Sequence, residues 1–181
     1  MLSLEVYYMN TYIFYHDNCS DGLTAAAIFN YWIQKHDFQN KKKYHFVAGH
    51  FQMSVEDLPD LSKSIVYFLD FSFKKDLFKH VLSKASKTFL IDHHKSAYDE
   101  LEEFIKQPDK YNLYTVFNLN ECGASLTWNY LFPDVTLPLV IKHIKDRDIW
   151  IWKEPYSKEY LAYLDLIDLN LEEYNKHYQT V

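Results

Sequence analysis

Glycine is scarce: Gly22, Gly49 and Gly123 are the three in 181 residues. They cannot build a G-x-G-x-x-G fingerprint or a Walker A loop, which excludes the standard dinucleotide and P-loop sites. Cysteine is scarcer still, with Cys19 and Cys122 alone. Two cannot make a disulfide scaffold or a Cys-rich zinc module, and both read as small buried hydrophobes. Arginine occurs once, as Arg147, and acidic residues outnumber basic ones by 25 to 19, a formal charge of −6. That balance argues against the broad basic footprint of a duplex nucleic-acid binder. It leaves room for a small phosphorylated substrate held by a local site. No apolar run approaches the ~20 residues of a membrane span. The start, Met1-Leu2-Ser3-Leu4-Glu5, lacks the basic leader of a secretory signal. A cytoplasmic protein in a reducing compartment, with no membrane partner, is the expectation.

What is abundant is aromatic. Tyr, Phe and Trp make up 18% of a chain that is 48% hydrophobic, enough to bury a sizeable core. The length suits one domain. β-branched and aromatic runs at Thr11–Tyr15, Tyr44–Ala48, Ser64–Leu69, Thr88–Ile91 and Leu113–Phe117 predict five strands. Between and after them, Leu23–Gln34, Lys74–Ser83, Ala97–Lys106, Gly123–Leu131 and Leu137–Lys145 read as helices, and Tyr156–Tyr178 is mostly helical in pattern. Pro108 and Pro133 serve as helix stops. Ala25, Ala26 and Ala27 let the first helix pack closely. The lysine run Lys41-Lys42-Lys43 reads as a solvated loop. Tyr7-Tyr8 and the C-terminal tyrosines read as packing residues. Strands alternating with helices through short connections imply βαβ units and a parallel sheet.

In such a sheet ligands lie outside the carboxyl ends of the strands. The first strand is followed by His16-Asp17-Asn18-Cys19-Ser20-Asp21-Gly22, the third by Asp70, and the fourth by Asp92-His93-His94. Asp146-Arg147-Asp148 closes a later helix. Carboxylate oxygen mixed with imidazole nitrogen suits Mn²⁺, Fe²⁺ or Zn²⁺, and the shortage of cysteine argues against a structural zinc site. More than four such groups suggest two ions, an arrangement that generates hydroxide and clamps the oxygens of an in-line displacement at phosphorus.

Each piece also has a local explanation. Asp70 alone, or Asp17, Asn18, Ser20 and Asp21 together, would serve as helix caps or turn residues. Asp146 and Asp148 would serve as a solvated helix end. Capping does not explain the recurrence of acidic groups after three strands, nor two histidines after an aspartate. Gly22, between a carboxylate and a helix, fits a need for close backbone approach or positive φ. Gly123 and Ser125 open a helix whose N–H groups would bind phosphate oxygens, with a plain cap by Ser125 or Asn120 as the alternative.

Asp92-His93-His94 in IDHHKS resembles the signature of the DHH phosphoesterases. Tyr15–Ala27 (YHDNCSDGLTAAA) is similar to that family's first motif, and FLDFS around Asp70 to its second. NECGASLTWNYLF from Asn120 and IKDRDIWIW from Ile144 are similar to the later motifs. The resemblance runs from about residue 11 to 152 in order and spacing. It implies an α/β fold, a three-layer α/β/α domain with a mostly parallel five-stranded sheet ordered 2-1-3-4-5. It assigns residues 1–152 to the DHH phosphoesterase domain and 153–181 to a helical C-terminal extension that is not an independent domain.

The family's centre is dinuclear, manganese foremost, with magnesium, zinc or iron as alternatives. Carried over by position, His16 and Asp21 ligate one ion, and Asp70 lies close to both. His93 is a ligand, and His94 faces the phosphate. Asp92 orients an imidazole. Asp146 or Asp148 completes the second ion, with Asp146 favoured by register. The family's D-x-D places its first carboxylate at Cys19 here, so Cys19 or Asp17 fills that role, and a thiolate would favour Zn²⁺ or Fe²⁺. His94, Lys95 and the helix start near Gly123 and Ser125 would stabilise charge on the phosphoryl oxygens, with Arg147 the arginine at hand for substrate.

The resemblance implies a metal-dependent phosphoesterase, in which a metal-bound hydroxide attacks the phosphate ester of a nucleotide or short oligonucleotide in line. The rival readings are a degenerate nucleotide-binding module without turnover and a pyrophosphatase-like activity. Residues 153–181 hold no glycine and are too few for the glycine-rich substrate domain of many members. An open cleft and short substrates are expected, and assembly as a homo-oligomer stays open.

Overall fold

The computed structural model describes residues 9–178. Met1–Glu5 and Tyr7-Tyr8 lie outside the described residues. Five strands, β1 (Thr11–His16), β2 (Tyr44–Gly49), β3 (Ile65–Leu69), β4 (Lys87–Asp92) and β5 (Leu113–Phe117), form one sheet in the order β2-β1-β3-β4-β5. Every pairing is parallel. The β-branched and aromatic runs thus become strands where expected, and all five carboxyl ends meet one edge.

The central strands are apolar on both faces, as a sheet covered on both sides requires. Ile13, Leu69 and Ile91 point one way, into a core shared with α1 (Ser20–His36), α5 (Gly123–Leu131), α6 (Leu139–Asp148), α7 (Ser157–Leu164) and α8 (Leu171–Tyr178). Phe14, Val66, Phe68 and Leu90 point the other way, onto α2 (Lys75–Lys84) and α3 (Lys95–Ile105). The result is a three-layer α/β/α arrangement. In α1, Ala25, Ala26 and Ala27 are fully buried, and their small side chains let the helix lie close between β1 and the helices α5 and α8. Leu161, Leu164 and Tyr174 carry α7 and α8 into that same core.

Two local expectations change. Lys41–Lys43 end an exposed 3-10 turn, Phe38–Lys43, rather than an open loop, and it leads into the amino end of β2. Pro108 does not merely stop α3. It opens a one-turn helix, α4 (Pro108–Tyr111), where its missing N–H costs nothing.

Phe68 is fully buried, with its ring 5.2 Å from that of Phe78 and 5.3 Å from that of Phe73. Phe68→Ala is expected to destabilise the fold by about 3–5 kcal/mol, read as a lower midpoint in urea unfolding.

Candidate metal centre

The parallel sheet delivers five side chains to one edge. β1 ends in His16, the residue after β3 is Asp70, β4 ends in Asp92, and His93-His94 follow before α3. Two helices complete the set: α1 starts beside Cys19 and Asp21, and α6 ends at Asp148. Asp70 adopts φ 55°, the left-handed region that aspartate tolerates better than most residues.

Three glycines make the approach sterically feasible, none with positive φ. A side chain on Gly22 would collide with His16, one on Gly49 with the Phe71 ring, and one on Gly123 with Asp70. Of the two reasons weighed for Gly22, close approach is the one that applies.

His93 Nε2 is the hub. It lies 3.1 Å from Asp70 Oδ1, 3.4 Å from Asp148 Oδ2 and 3.8 Å from Asp21 Oδ2. On the other side of Asp70, its Oδ2 is 3.6 Å from Cys19 Sγ and 3.5 Å from His16 Nδ1. His16, Cys19 and Asp70 could hold one ion, and so could Asp21, His93 and Asp148, or Asp70 with the Asp92-His93-His94 triplet. Asp70 and Asp21 are buried.

Such crowding has an electrostatic cost. Burial raises the Asp21 carboxyl pKa well above its ordinary value, and the charges of Asp70 and Asp148 add to it. Asp148 is raised too, by burial and by Asp70 against the pull of His93. The Cys19 thiol is pushed up to about 12 by burial and by Asp70. Asp70 goes the other way. Burial opposes its ionisation, but His16, His93 and His94 beside it outweigh burial and hold its carboxyl well below the usual range. A divalent cation would relieve this repulsion and deprotonate the thiol. His16 Nδ1, buried and without a hydrogen-bond partner although it faces Asp70 Oδ2 at 3.5 Å, agrees with that requirement, since buried polar atoms are normally satisfied. The donor set therefore fits a metal centre.

Asp92 works through its neighbours. Its Oδ1 accepts from the backbone N–H groups of His93 and His94 and lies 2.8 Å from His94 Nδ1. That contact fixes the ring and, ahead of the opposing effect of burial, raises the His94 pKa to about 9.

Several sequence-based assignments need correction. Asp146 does not face the cluster. Its carboxylate accepts from the N–H groups of Lys153 and Glu154 and from Ser157 Oγ, which also lies 2.8 Å from His143 Nδ1. It clasps the chain after α6, while Asp148 reaches His93. Asp17 is a turn residue, its carboxylate bound to the backbone and side chain of Asn18. The residue beside Asp70 is instead Cys19, the N-cap position of α1. Lys95 pairs with Asp99 one turn along α3. Arg147 is bound to Asp165 and to Ser20 Oγ, joining the end of α6 to the start of α1. The first N–H groups of α5 do not await a phosphate. Gly123 N and Ala124 N donate to the two oxygens of Asp21 at 2.6 and 2.8 Å, and the N-cap is Cys122 in a reciprocal pair with Ser125. Ser125 Oγ lies fully buried and donates to Glu121.

Sequence reasoning passed over Phe51, Ser72 and Lys74, which line a cavity beside Asp70, Asp92 and His94. Lys74 had a signal, four residues after Asp70. Phe51 had none, being one of 13 phenylalanines.

Among the described residues no helix is long and apolar enough to cross a membrane. No protein-family model matches the chain. No solved structure matches it. It is 32% identical over 169 residues to "Uncharacterized protein R106" of Acanthamoeba polyphaga mimivirus, a match covering 89% of this chain. The chain spans 39% of the length of that curated relative.

The two neighbouring aspartates separate by experiment. Asp146→Ala should lower stability by roughly 2–4 kcal/mol, through lost charge-assisted hydrogen bonds, and leave metal stoichiometry intact. Asp148→Ala should reduce metal bound in elemental analysis with a smaller loss of stability.

Proposed function

We propose that this chain is a metal-dependent phosphohydrolase of the DHH kind, acting on the phosphate ester of a nucleotide or short oligonucleotide. The observation that carries it is the gathering of His16, Cys19, Asp21, Asp70, His93 and Asp148 around one point on the carboxyl edge of a parallel sheet. Divalent ions held there, manganese foremost, would supply Lewis-acid polarisation and an activated water.

The chain's own residues do the rest. His16, Cys19 and Asp70 would hold one ion and Asp21, His93 and Asp148 the other, with Asp70 Oδ1 facing His93 and Oδ2 facing His16 and Cys19. Gly123 N and Ala124 N fix the Asp21 carboxylate. Asp92 fixes the His94 ring by its Nδ1, leaving Nε2 to donate to a phosphoryl oxygen. Long polyanions are poor substrates on this reading, because Lys95 and Arg147 are spent on Asp99 and Asp165 and the net charge is −6.

A second reading, a nucleotide-binding module without turnover, draws on Cys19 at the place where the resemblance expects a carboxylate. Turnover separates the two. Mn²⁺ should raise the melting temperature of the wild type, with a smaller rise in Asp70→Ala. A panel of a chromogenic phosphodiester, short oligonucleotides, cyclic dinucleotides, nucleoside monophosphates and pyrophosphate should then show hydrolysis of at least one nucleotide ester. Binding without hydrolysis across the panel selects the binding module, and pyrophosphate alone selects the third reading. Asp70→Asn and His93→Ala should abolish activity, whereas Asp92→Asn should leave it about 10–100-fold reduced, as for residues that only orient a ligand. In a length series, activity should favour a few nucleotides over long strands. Activity that rises with length and collapses with salt is the signature of a long cationic track and contradicts this reading.

A further inference from the structure

Beside the cluster lies a cavity of about 130 Å³, bounded on one side by Asp70, Asp92 and His94. Pockets that engulf a drug-sized molecule run to roughly 300–1,000 Å³. This one has room for a phosphoryl group and a water or two, so the remainder of a substrate must lie at its mouth. Two side chains lining it, Lys74 and Phe51, present an unpaired charge and an exposed ring to its mouth.

The first is Lys74, which is exposed. Other cations near the cluster are engaged: Lys95 by Asp99, Arg147 by Asp165 and Lys145 by Glu121. Lys74 forms no ion pair among the described residues, and it lines the same cavity as Ser72 and Ser96. The acidic wall group outside the metal cluster, Glu100, accepts from Lys75 N at 2.9 Å.

The second is Phe51, 55% exposed although large and apolar. Its ring is braced, 5.4 Å from that of the buried Phe71 and edge-on to His16 at 5.9 Å. Phe71 can stand there because Gly49 has no side chain. A braced phenyl ring with an open face, next to an anion-sized cavity, matches the base-stacking platforms of proteins that bind single nucleotides or strands.

We propose that this cavity is the phosphate end of a nucleoside-monophosphate subsite, with Lys74 holding the phosphate and Phe51 stacking the base. It rests on the phosphohydrolase reading for its orientation towards the cluster, and it adds that the substrate is recognised by its base as well as by its phosphate.

The test is equilibrium binding to the Mn²⁺-loaded chain. The probes are inorganic phosphate and the phosphonate analogues of AMP and ribose 5-phosphate, whose C–P bond is not an ester and is not turned over. The wild type should bind the AMP analogue about tenfold or more tightly than the ribose analogue, as expected for one stacked base. Phe51→Ala should erase that difference and leave phosphate affinity unchanged. Lys74→Gln should weaken all three probes by a similar factor, with Lys74→Arg restoring them. Both side chains are exposed, and unchanged melting temperatures establish that the variants fold. Equal affinity for the two analogues in the wild type, or indifference to Phe51→Ala, overturns the base platform. Indifference to Lys74→Gln overturns the phosphate site. The expected binding pattern without hydrolysis of any ester leaves the subsite standing and removes the phosphohydrolase reading. Hydrolysis without base discrimination does the reverse.

Discussion

Like charges crowded at one sheet edge are the constraint on which this structure turns. Asp21, Asp70 and Asp148 converge on a single imidazole, with a thiol and a second imidazole close behind. A fold selected for stability alone would spread them apart, because each buried carboxylate makes the next harder to ionise. The arrangement makes sense as a vessel for positive charge. The surrounding chain is organised to hold the vessel open: the backbone of α5 grips Asp21, Asp92 grips the two histidines, Asp146 clasps the chain after α6, and Arg147 joins the end of α6 to the start of α1.

The sheet supplies the geometry. Parallel strands bring all their carboxyl ends to one edge, so residues 16, 70 and 92, far apart in sequence, become neighbours without any long loop. The helices then set the depth. Because α1 and α5 pack closely through alanines and glycines, Asp21 is pressed against the first turn of α5 rather than left in solvent.

Most of the fold was legible because its signals are local. β-branched and aromatic runs of five or six residues, separated by helical patterns, specify a parallel sheet whatever the details of packing. The acidic strand ends were legible for the same reason. The misassignments fall where tertiary structure decides. Asp146 and Asp148 are two apart on a helix, hence about 200° apart around its axis, and only one can face the cluster. Sequence does not set the phase of α6. Arg147 looked available because its partner, Asp165, meets it only in the folded chain, whereas Lys95 and Asp99, four residues apart on α3, are a local pair that the motif reading did not weigh. The N–H groups of Gly123 and Ala124 looked free because Asp21 lies 102 residues from Gly123 in sequence. Phe51 stands out only through its exposure.

The use of glycine has a consequence for how far the chain can be altered. All three glycines are committed to keeping side chains off His16, Phe71 and Asp70, so none serves a turn. The left-handed backbone positions fall instead to residues that adopt them reluctantly, including Lys63, Asn112, Trp150, Trp152 and Tyr156. For a residue with a side chain that conformation costs roughly 1–2 kcal/mol, less for asparagine. Reserve stability is therefore stored at these exposed turns, whereas the left-handed Asp70 at the centre is tied to its place in the cluster. A designer seeking a hardier version would place new glycines at exposed bends such as Lys63 and leave the three existing ones alone.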